Sequence, residues 1–269
     1  QYELLQVEEM AQTFLEKSAT SIRVNTEATT KEALIKELEE EQITVIENTE
    51  VPNALYIENY DFLAGIPAFE EGKFYVQDVS SMLVSLWADP KEGAQVLDVC
   101  AAPGGKSIHM AELLHGTGMV EARDLTEYKV SLIEENIERC GLKNICAKQA
   151  DARILEKDMV GTMDIVIADL PCSGLGVIGK KPDIKYKMTE EKCQELAALQ
   201  REILHTVQHY VKSGGVLMYS TCTINPQENE DNVRWFLQEH SEFVLEKQQQ
   251  ILPQKGKNDG FFLARLVRK

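Results

Sequence analysis

The chain has no apolar run close to the ~18 residues that a membrane-spanning helix needs, and residues 1–10 lack the segments of a secretion signal. Of its 269 residues, 43% are hydrophobic and 27% are charged, as in ordinary globular proteins. These values argue against fibrous and disordered chains. They predict a soluble protein with one large or two modest domains and no membrane partner.

Paired metal-binding cysteines are also missing. The six cysteines include no C-x-x-C pair, which argues against a zinc site, and we expect no bound metal. Because nothing in the sequence indicates secretion, free thiols in a reducing cytoplasm are the simplest interpretation. The expected location is therefore the cytoplasm.

A basic excess is missing as well, since 28 Lys and Arg residues face 44 Asp and Glu residues, for a formal charge of −16. On its own this charge argues against a nucleic-acid partner. The acidity is concentrated in residues 1–90, where 5 basic and 18 acidic side chains give −13, against −3 for residues 91–269. Basic segments such as 180–187, with four lysines around Asp183, therefore remain available for an acidic partner.

Apolar spacing predicts an amphipathic helix over residues 4–15, followed by a small α+β unit. Its predicted strands cover residues 21–25, 43–46 and 54–57, and a capping box at 29–32 opens the intervening helix. From Ala94 onward, strands alternate with helices, which predicts a mainly parallel sheet. We place the domain boundary between residues 75 and 76. The predicted elements of the second part are strands at 96–99, 119–122, 145–148, 165–168, 216–219 and 261–266 and helices at 79–88, 106–114, 129–140, 190–211 and 228–240.

Acidic residues lie at or just after the ends of four of the predicted parallel strands. They are Asp98, Asp124, Asp151 and Asp169. In open α/β sheets ligands bind beyond the carboxyl ends of the strands, so these positions are candidates for a site. A single aspartate there is as readily a turn or helix cap, but four in register favour a ligand site. The carboxylate after the second strand is well placed to accept both hydroxyls of a ribose.

The loop after the first of these strands runs from Asp98 to Ser107 and is rich in small residues. Small residues let a ligand approach backbone N–H groups at a helix N-terminus. The loop lacks the G-x-G-x-x-G of dinucleotide sites, and Cys100 stands where the first glycine of a G-x-x-x-x-G-K-[ST] phosphate loop would be. An adenosyl ligand without phosphates therefore fits this loop better.

Two cysteines lie at the same predicted end of the sheet, Cys172 after the fourth strand and Cys222 after the fifth. A single buried cysteine is most often a small hydrophobic residue. Two at neighbouring strand ends beside Asp169 favour chemistry, in which the thiolate would be the reactive form. Spacing alone does not decide which thiol is the nucleophile.

Three segments carry a family likeness: the loop Cys100–Lys106, the proline-cysteine motif Asp169–Gly174 and the segment Tyr219–Pro226 with Glu228-Asn229-Glu230. Over nearly its whole length the chain resembles the Sun-type RNA (cytosine-5) methyltransferases, which use S-adenosylmethionine and in which the first segment is the cofactor loop and the third the nucleophile motif. The segments 23–26, 74–78 and 177–186 are most similar to the branch acting on bacterial small-subunit ribosomal RNA. Leu170 stands where the family usually has a small residue, and Gly179 where it has a basic one.

The resemblance implies an α/β fold. It consists of a Rossmann-like, seven-stranded S-adenosylmethionine-dependent methyltransferase domain at 76–269 and a small RNA-recognition-like α+β domain at 1–75. An all-helical domain that normally precedes residue 1 in that branch is implied to be absent. The residues implied to bind S-adenosylmethionine are Cys100, Ala101, Ala102, Pro103, Gly104, Gly105, Lys106, Asp124, Asp151 and Asp169.

The family likeness also implies how the reaction proceeds. Because cytosine C5 is a poor nucleophile, the Cys222 thiolate first adds to C6, and C5 then attacks the methyl group. Asp169 would bind the N3 or N4 edge of the base, and Cys172 would assist release after methylation. The target is unpaired or flipped RNA, bound by a monomer, with phosphate contacts expected from Arg23, Lys180, Lys181 and Lys185.

Other functions stay open at this point. A DNA cytosine methyltransferase would leave Cys222 without a role, and an amino-group methyltransferase would carry an aromatic residue where Cys172 stands. A dehydrogenase would need the missing glycine fingerprint. The remaining alternatives are a methyltransferase acting on tRNA cytosine and a catalytically silent RNA-binding or ribosome assembly factor, although the latter would tolerate loss of the thiols or acids that this chain retains.

Overall fold

The protein is described by a computed structural model that covers residues 2–16 and 18–269. The chain divides into two compact units, which we name the loop unit (Ala19–Ala150) and the thiol unit (1–18 with Asp151–Lys269). The helices are α1 (Leu4–Leu15), α2 (Lys31–Glu40), α3 (Pro67–Glu70), α4 (Val79–Ala88), α5 (Gly105–Leu113), α6 (Glu127–Cys140), α7 (Ile184–Lys187), α8 (Glu190–Val207) and α9 (Glu230–Glu239). The strands are β1 (Thr20–Val24), β2 (Thr44–Glu47), β3 (Ala54–Glu58), β4 (Phe74–Val76), β5 (Gln95–Asp98), β6 (Met119–Asp124), β7 (Ile145–Gln149), β8 (Met163–Asp169), β9 (Val211–Thr221), β10 (Phe243–Ile251) and β11 (Phe261–Arg268).

The loop unit begins with a four-stranded antiparallel sheet in the order β2-β3-β1-β4. Helix α2 starts at a Thr30 cap, whose side chain accepts a hydrogen bond from the Ala33 N–H group. Leu34 and Leu38 lie four residues apart on one face of this helix and are buried with Phe74 in the core of the unit's α+β part. The predicted small α+β unit is thus confirmed, with β4 as a fourth strand that the apolar pattern did not predict.

The same unit holds three parallel strands, in which β6 pairs with both β5 and β7. Helix α5 follows β5, and helix α6 follows β6 after a Thr126 cap. Parallel strands joined through helices place their carboxyl ends at one edge of the sheet. The loop that contains Cys100–Lys106 and the carboxylate of Asp124 therefore both follow carboxyl ends of strands.

In the thiol unit, β8 pairs in parallel with β9, and β11 runs antiparallel between β9 and β10. Asp169 and Ser220 are register partners at the ends of β8 and β9. Helix α1 belongs to this unit, where the Tyr2 hydroxyl donates a 2.9 Å hydrogen bond to the Ile224 carbonyl. The predicted bounds of α1, residues 4–15, are confirmed.

The larger sheet has seven strands in the order β10-β11-β9-β8-β5-β6-β7, which confirms the predicted fold class. One predicted helix was too long, and β10 is a second strand, besides β4, that was missed. The helix predicted over 190–211 ends at Val207, because Val211 already begins β9, and strand β10 was not predicted. Among the described residues, no helix is both long enough and apolar enough to cross a bilayer.

Candidate active site

The cofactor loop predicted at Cys100–Lys106 leads from β5 into helix α5. Its turn is closed by a 2.7 Å hydrogen bond from the Gly104 N–H group to the Ala101 carbonyl, and Ala101 N–H donates to the Arg123 carbonyl at 2.8 Å. Gly104 has a φ of 110°, a conformation that residues with a β-carbon rarely adopt. The Asp98 carboxylate accepts a 2.6 Å hydrogen bond from the Ser107 hydroxyl, and both residues are fully buried. The loop is therefore held at both ends.

Asp124 lies at the end of β6 and is 3% exposed. Its carboxylate accepts hydrogen bonds from the Ala102 N–H group at 3.1 Å and from the Leu125 N–H group at 2.8 Å. The Lys129 ammonium lies 3.0 Å from the same carboxylate and is about half exposed. Asp124 thus contacts the cofactor loop directly, as expected for a residue at the same edge of the sheet.

The prediction that Arg23 contacts RNA does not fit its position. Arg23 is 1% exposed, and its guanidinium donates to both oxygens of Glu112, at 3.0 and 2.8 Å. It also donates to the Gln77 side chain and, at 3.2 Å, to the Gly105 carbonyl in the cofactor loop. A buried charge needs such partners, and the guanidinium of this arginine is bound by residues of its own unit. Arg23 is therefore not accessible for the expected phosphate contact.

Asp151 follows β7 at the start of the thiol unit's main segment and is engaged by an arginine that sequence reasoning missed. The Arg153 guanidinium donates to both carboxylate oxygens, at 2.9 and 2.6 Å. These hydrogen bonds, together with one from the Arg153 backbone, hold the pKa of Asp151 below its usual range. A ligand amino group would have to share this carboxylate with Arg153.

The two cysteines singled out in the sequence meet in the thiol unit. The Sγ atoms of Cys172 and Cys222 are 3.1 Å apart, and each thiol follows the carboxyl end of a parallel strand. The hydrogen bond with Cys222, burial and the nearby Glu228 carboxylate raise the pKa of the Cys172 thiol well above its usual range. Cys172 is therefore suited to remain protonated and to donate to the Cys222 sulfur.

A buried carboxylate supports the Cys172 motif. Glu228 is fully buried and accepts hydrogen bonds from the Ser173 N–H group at 2.8 Å and the Ser173 hydroxyl at 2.5 Å. The side-chain amides of Gln200 and Asn225 each donate to it at 3.0 Å. In the sequence, Glu228 stands out only as part of the motif that follows Cys222. Its position next to the thiol motif gave no signal of burial, because charged residues are usually exposed.

Asp169 is half-buried at the end of β8 and accepts a 2.7 Å hydrogen bond from the Ser220 hydroxyl. This contact follows from the pairing of the two residues across β8 and β9. Cys172 lies three residues after Asp169, and Cys222 lies two residues after Ser220. The acid and both thiols therefore occupy the same strand ends of this unit. The sequence prediction that Asp169 lies near both thiols agrees with this placement.

The lysines expected to contact RNA lie on the exposed segment around α7. Lys181 and Lys185 are exposed, whereas the Lys180 ammonium lies 2.7 Å from the Asp259 carboxylate. Tyr186 is 85% exposed, and the Lys185 Nζ atom is 5.7 Å from the centre of its ring. The Gly176 N–H group donates to the Cys222 carbonyl at 3.1 Å, so the start of this segment is bound to the nucleophile motif.

The seven-stranded sheet, with a glycine-containing loop after β5 and an acid at the end of β6, defines a Rossmann-like methyltransferase fold. Residues 85–267 match the family 16S rRNA methyltransferase RsmB/F, and residues 1–61 match the ferredoxin-like domain of RsmF/B-like methyltransferases. The chain therefore belongs to the RsmB/F methyltransferase family. The family resemblance noted in the sequence is confirmed.

Curated relatives include ribosomal RNA small subunit methyltransferase B of Proteus mirabilis, 36% identical over 92% of this chain and 58% of that protein. A probable enzyme of the same name from Bacillus subtilis is 41% identical over 77% of this chain and 50% of that protein. The chain thus spans between half and three fifths of the length of these two relatives.

Solved structures agree in fold. The crystal structure of PH0851 has a TM-score of 0.94 at 35% identity and covers 98% of this chain and 63% of that one. NSun6 from Pyrococcus horikoshii with SFG has a TM-score of 0.88 at 25% identity, over 98% of this chain and 94% of that one. SFG is an analogue of S-adenosylmethionine, so the expected cofactor is consistent with this neighbour and with the methyltransferase family.

Proposed function

We propose that the protein transfers a methyl group from S-adenosylmethionine to cytosine C5 in 16S ribosomal RNA, through a covalent bond between Cys222 and C6 of the base. The observation that carries this proposal is the 3.1 Å separation of two thiols at the ends of adjacent parallel strands, beside a buried carboxylate. Membership of the RsmB/F family and the names of its ribosomal RNA relatives support the choice of RNA.

The residues of the loop unit fit an adenosyl ligand without phosphates. Asp124 is a buried acceptor at the end of β6, which suits it to ribose hydroxyls, and helix α5 presents the N–H groups of its first turn to a ligand. When bound, S-adenosylmethionine supplies the electrophilic methyl group. We assign its methionine end to the segment 100–106, its ribose to Asp124 and its adenine amino group to Asp151, with Asp169 also in contact.

Cys222 is proposed to make and break the covalent bond. Its thiolate donates an electron pair to C6 of cytosine, which forms a carbon-sulfur bond and raises the electron density at C5. After C5 has gained the methyl group, which would leave S-adenosylhomocysteine, its proton passes to a water molecule, the C–H bonding pair restores the C5–C6 double bond, and the carbon-sulfur bond breaks. The bonding pair then goes back to the Cys222 sulfur.

The neighbouring groups control protonation. Cys172 stays a thiol over the working pH range because its pKa is raised, so its hydrogen bond stabilises negative charge on Cys222 before addition and during release. Asp169, oriented by the Ser220 hydroxyl, is proposed to bind the N3 or N4 edge of the base as charge develops on the ring.

RNA binding is proposed for the exposed lysines of the α7 segment, Lys181 and Lys185, together with Lys180. The cytosine is expected to be unpaired or flipped, because a stacked and paired base does not expose C5 and C6 to a pocket. We further propose that the enzyme acts in the cytoplasm as a monomer.

Methyl transfer by single-cysteine variants tests this function. Cys222→Ala is expected to abolish 5-methylcytosine formation in 16S ribosomal RNA, measured by bisulfite mapping, because no other group forms the bond to C6. Cys146→Ala is the matched control, since Cys146 is exposed in β7. Retained methylation in Cys222→Ala would contradict the assignment of Cys222 as the nucleophile.

The same assay on the wild-type protein separates the alternative functions. Methylation of transfer RNA alone would favour a tRNA enzyme, and a wild-type protein that binds RNA without methylating it would indicate an assembly factor.

A further inference from the structure

Four side chains from outside the cofactor loop hold its backbone carbonyls. The Tyr75 hydroxyl and the Asn136 amide both donate to the Pro103 carbonyl at 3.1 Å. Arg23 donates to the Gly105 carbonyl at 3.2 Å, and the Ser85 hydroxyl donates to the Lys106 carbonyl at the same distance. All of these residues belong to the loop unit. Two of them, Arg23 on β1 and Tyr75 on β4, belong to neighbouring strands of the four-stranded sheet.

We propose that Arg23 and Tyr75 are positioning residues for the methyl donor, so that the small sheet sets the shape of the cofactor loop. This inference rests on the proposed function, in which segment 100–106 binds the methionine end of S-adenosylmethionine. It replaces the expected RNA contact of Arg23 with a role inside the protein.

The physical argument concerns peptide orientation. In a trans peptide the C=O and N–H groups point in opposite directions, so a side chain that holds a carbonyl also fixes the direction of the following N–H group. Arg23 and Ser85 hold the carbonyls of Gly105 and Lys106, which precede the N–H groups of Lys106 and Ser107 in the first turn of α5. These are the donors that the N-terminus of a helix offers to a carboxylate.

Tyr75 is suited to a fixed role. It is buried, and burial raises the pKa of its hydroxyl to about 12, so the group remains a donor. The guanidinium carbons of Arg23 and Arg139 lie 5.6 and 5.5 Å from the centre of its ring. A β-carbon at Gly105 would be 3.0 Å from the edge of the ring, so loop and ring are in close contact. Tyr75 is thus restrained by the two arginines and by the loop itself.

The sharpest test removes one hydroxyl. Tyr75→Phe keeps the ring and its packing but loses the hydrogen bond to Pro103. We expect the Kd for S-adenosylmethionine, measured by calorimetry, to rise about two- to tenfold. In the ligand-free protein, the amides of segment 100–107 should exchange with deuterium faster than in wild type. The KM for RNA should be unchanged, whereas a general loss of folded structure would change it.

Tyr60→Phe is the matched control. Tyr60 lies in the same unit and its hydroxyl bonds the Thr20 hydroxyl at 2.5 Å, away from the cofactor loop. It should leave the Kd and the exchange of segment 100–107 as in wild type. Arg23→Lys is a second variant that keeps the charge beside Glu112, and it should weaken binding without unfolding the protein.

Two failures are distinguishable. If wild-type protein does not bind S-adenosylmethionine, the proposed function fails, whereas the exchange measurement on ligand-free protein still tests the positioning of the loop. If wild type binds but Tyr75→Phe and Arg23→Lys match it in both Kd and amide exchange, the proposed role of the small sheet is wrong.

Discussion

The two units support their functional segments in different ways. In the loop unit, the carbonyls of the cofactor loop are held from outside by side chains that lie far away in sequence, including an arginine whose charge is balanced by Glu112. In the thiol unit, the Cys172 motif is held by Glu228, which lies six residues after the second thiol and accepts from uncharged donors. One unit uses a buried ion pair and the other a hydrogen-bonded carboxylate.

The difference has consequences for each unit. A buried ion pair balances two charges, so the loss of either partner leaves the other uncompensated. The Glu228 carboxylate is bonded by uncharged donors, and it raises the pKa of the nearby Cys172 thiol. Loss of one charge of the loop unit's ion pair should therefore act mainly on stability, and loss of the Glu228 charge on both stability and thiol chemistry.

The largest expected effect is on the buried pair. Arg23→Gln should lower the free energy of unfolding by about 3–5 kcal/mol, because Glu112 is left charged and buried without its cation. Arg234→Gln, which breaks an exposed pair with Asp231 at 2.8 Å, should cost less than about 1 kcal/mol. Urea titration of both variants measures the two values. Equal losses would show that burial of the Arg23 pair does not increase its contribution to the free energy of unfolding.

A smaller effect is expected in the thiol unit. Glu228→Gln should lower the free energy of unfolding by about 1–3 kcal/mol, because an amide N–H group would face donors that now bond a carboxylate oxygen. The control Glu239→Gln changes an exposed residue at the end of α9 and should leave stability unchanged. A Glu228→Gln protein as stable as wild type would show that the four hydrogen bonds are readily replaced.

The same substitution tests the charge on the thiol. Glu228 contributes to the raised pKa of Cys172, so Glu228→Gln should lower that pKa and let alkylation of Cys172 begin at lower pH. The hydrogen bond with Cys222 and burial remain, so the pKa should stay above its usual range. Mass spectrometry of iodoacetamide-treated protein across a pH series measures the shift. An unchanged profile would remove Glu228 from the electrostatics of the site.

Local patterns predicted much of the fold. The bounds of α1 and α4 were predicted without error, because both helices place apolar residues at regular helical spacing and end near polar or breaking residues. Strand β10 was missed because its residues 246–249 are exposed and polar, as on an edge strand that offers no apolar alternation. Strand β4 is only three residues long, too short for a periodic signal.

The positions of several candidate residues were predictable because they lie at or near the end of a strand. In the loop unit Asp124 lies at the end of β6, and in the thiol unit Asp169 and both thiols lie at or just beyond the ends of β8 and β9, as the strand pattern predicted. The roles of Arg23 and Arg153 were not predictable, since an arginine looks the same in sequence whether its partner is a phosphate or a carboxylate. The Arg23 partner, Glu112, lies 89 residues away and is joined to it only by the fold.

The covalent bond between Cys222 and the base is the central claim, and trapping it is the most direct test. Cys172→Ala protein, incubated with S-adenosylmethionine and 16S ribosomal RNA, should accumulate a denaturation-resistant protein-RNA adduct, because release after methylation is impaired. Nuclease and protease digestion followed by mass spectrometry should place the nucleotide on Cys222. An adduct mapped to another residue, or no adduct while Cys172→Ala still methylates at the wild-type rate, would contradict the proposed division of roles between the two thiols.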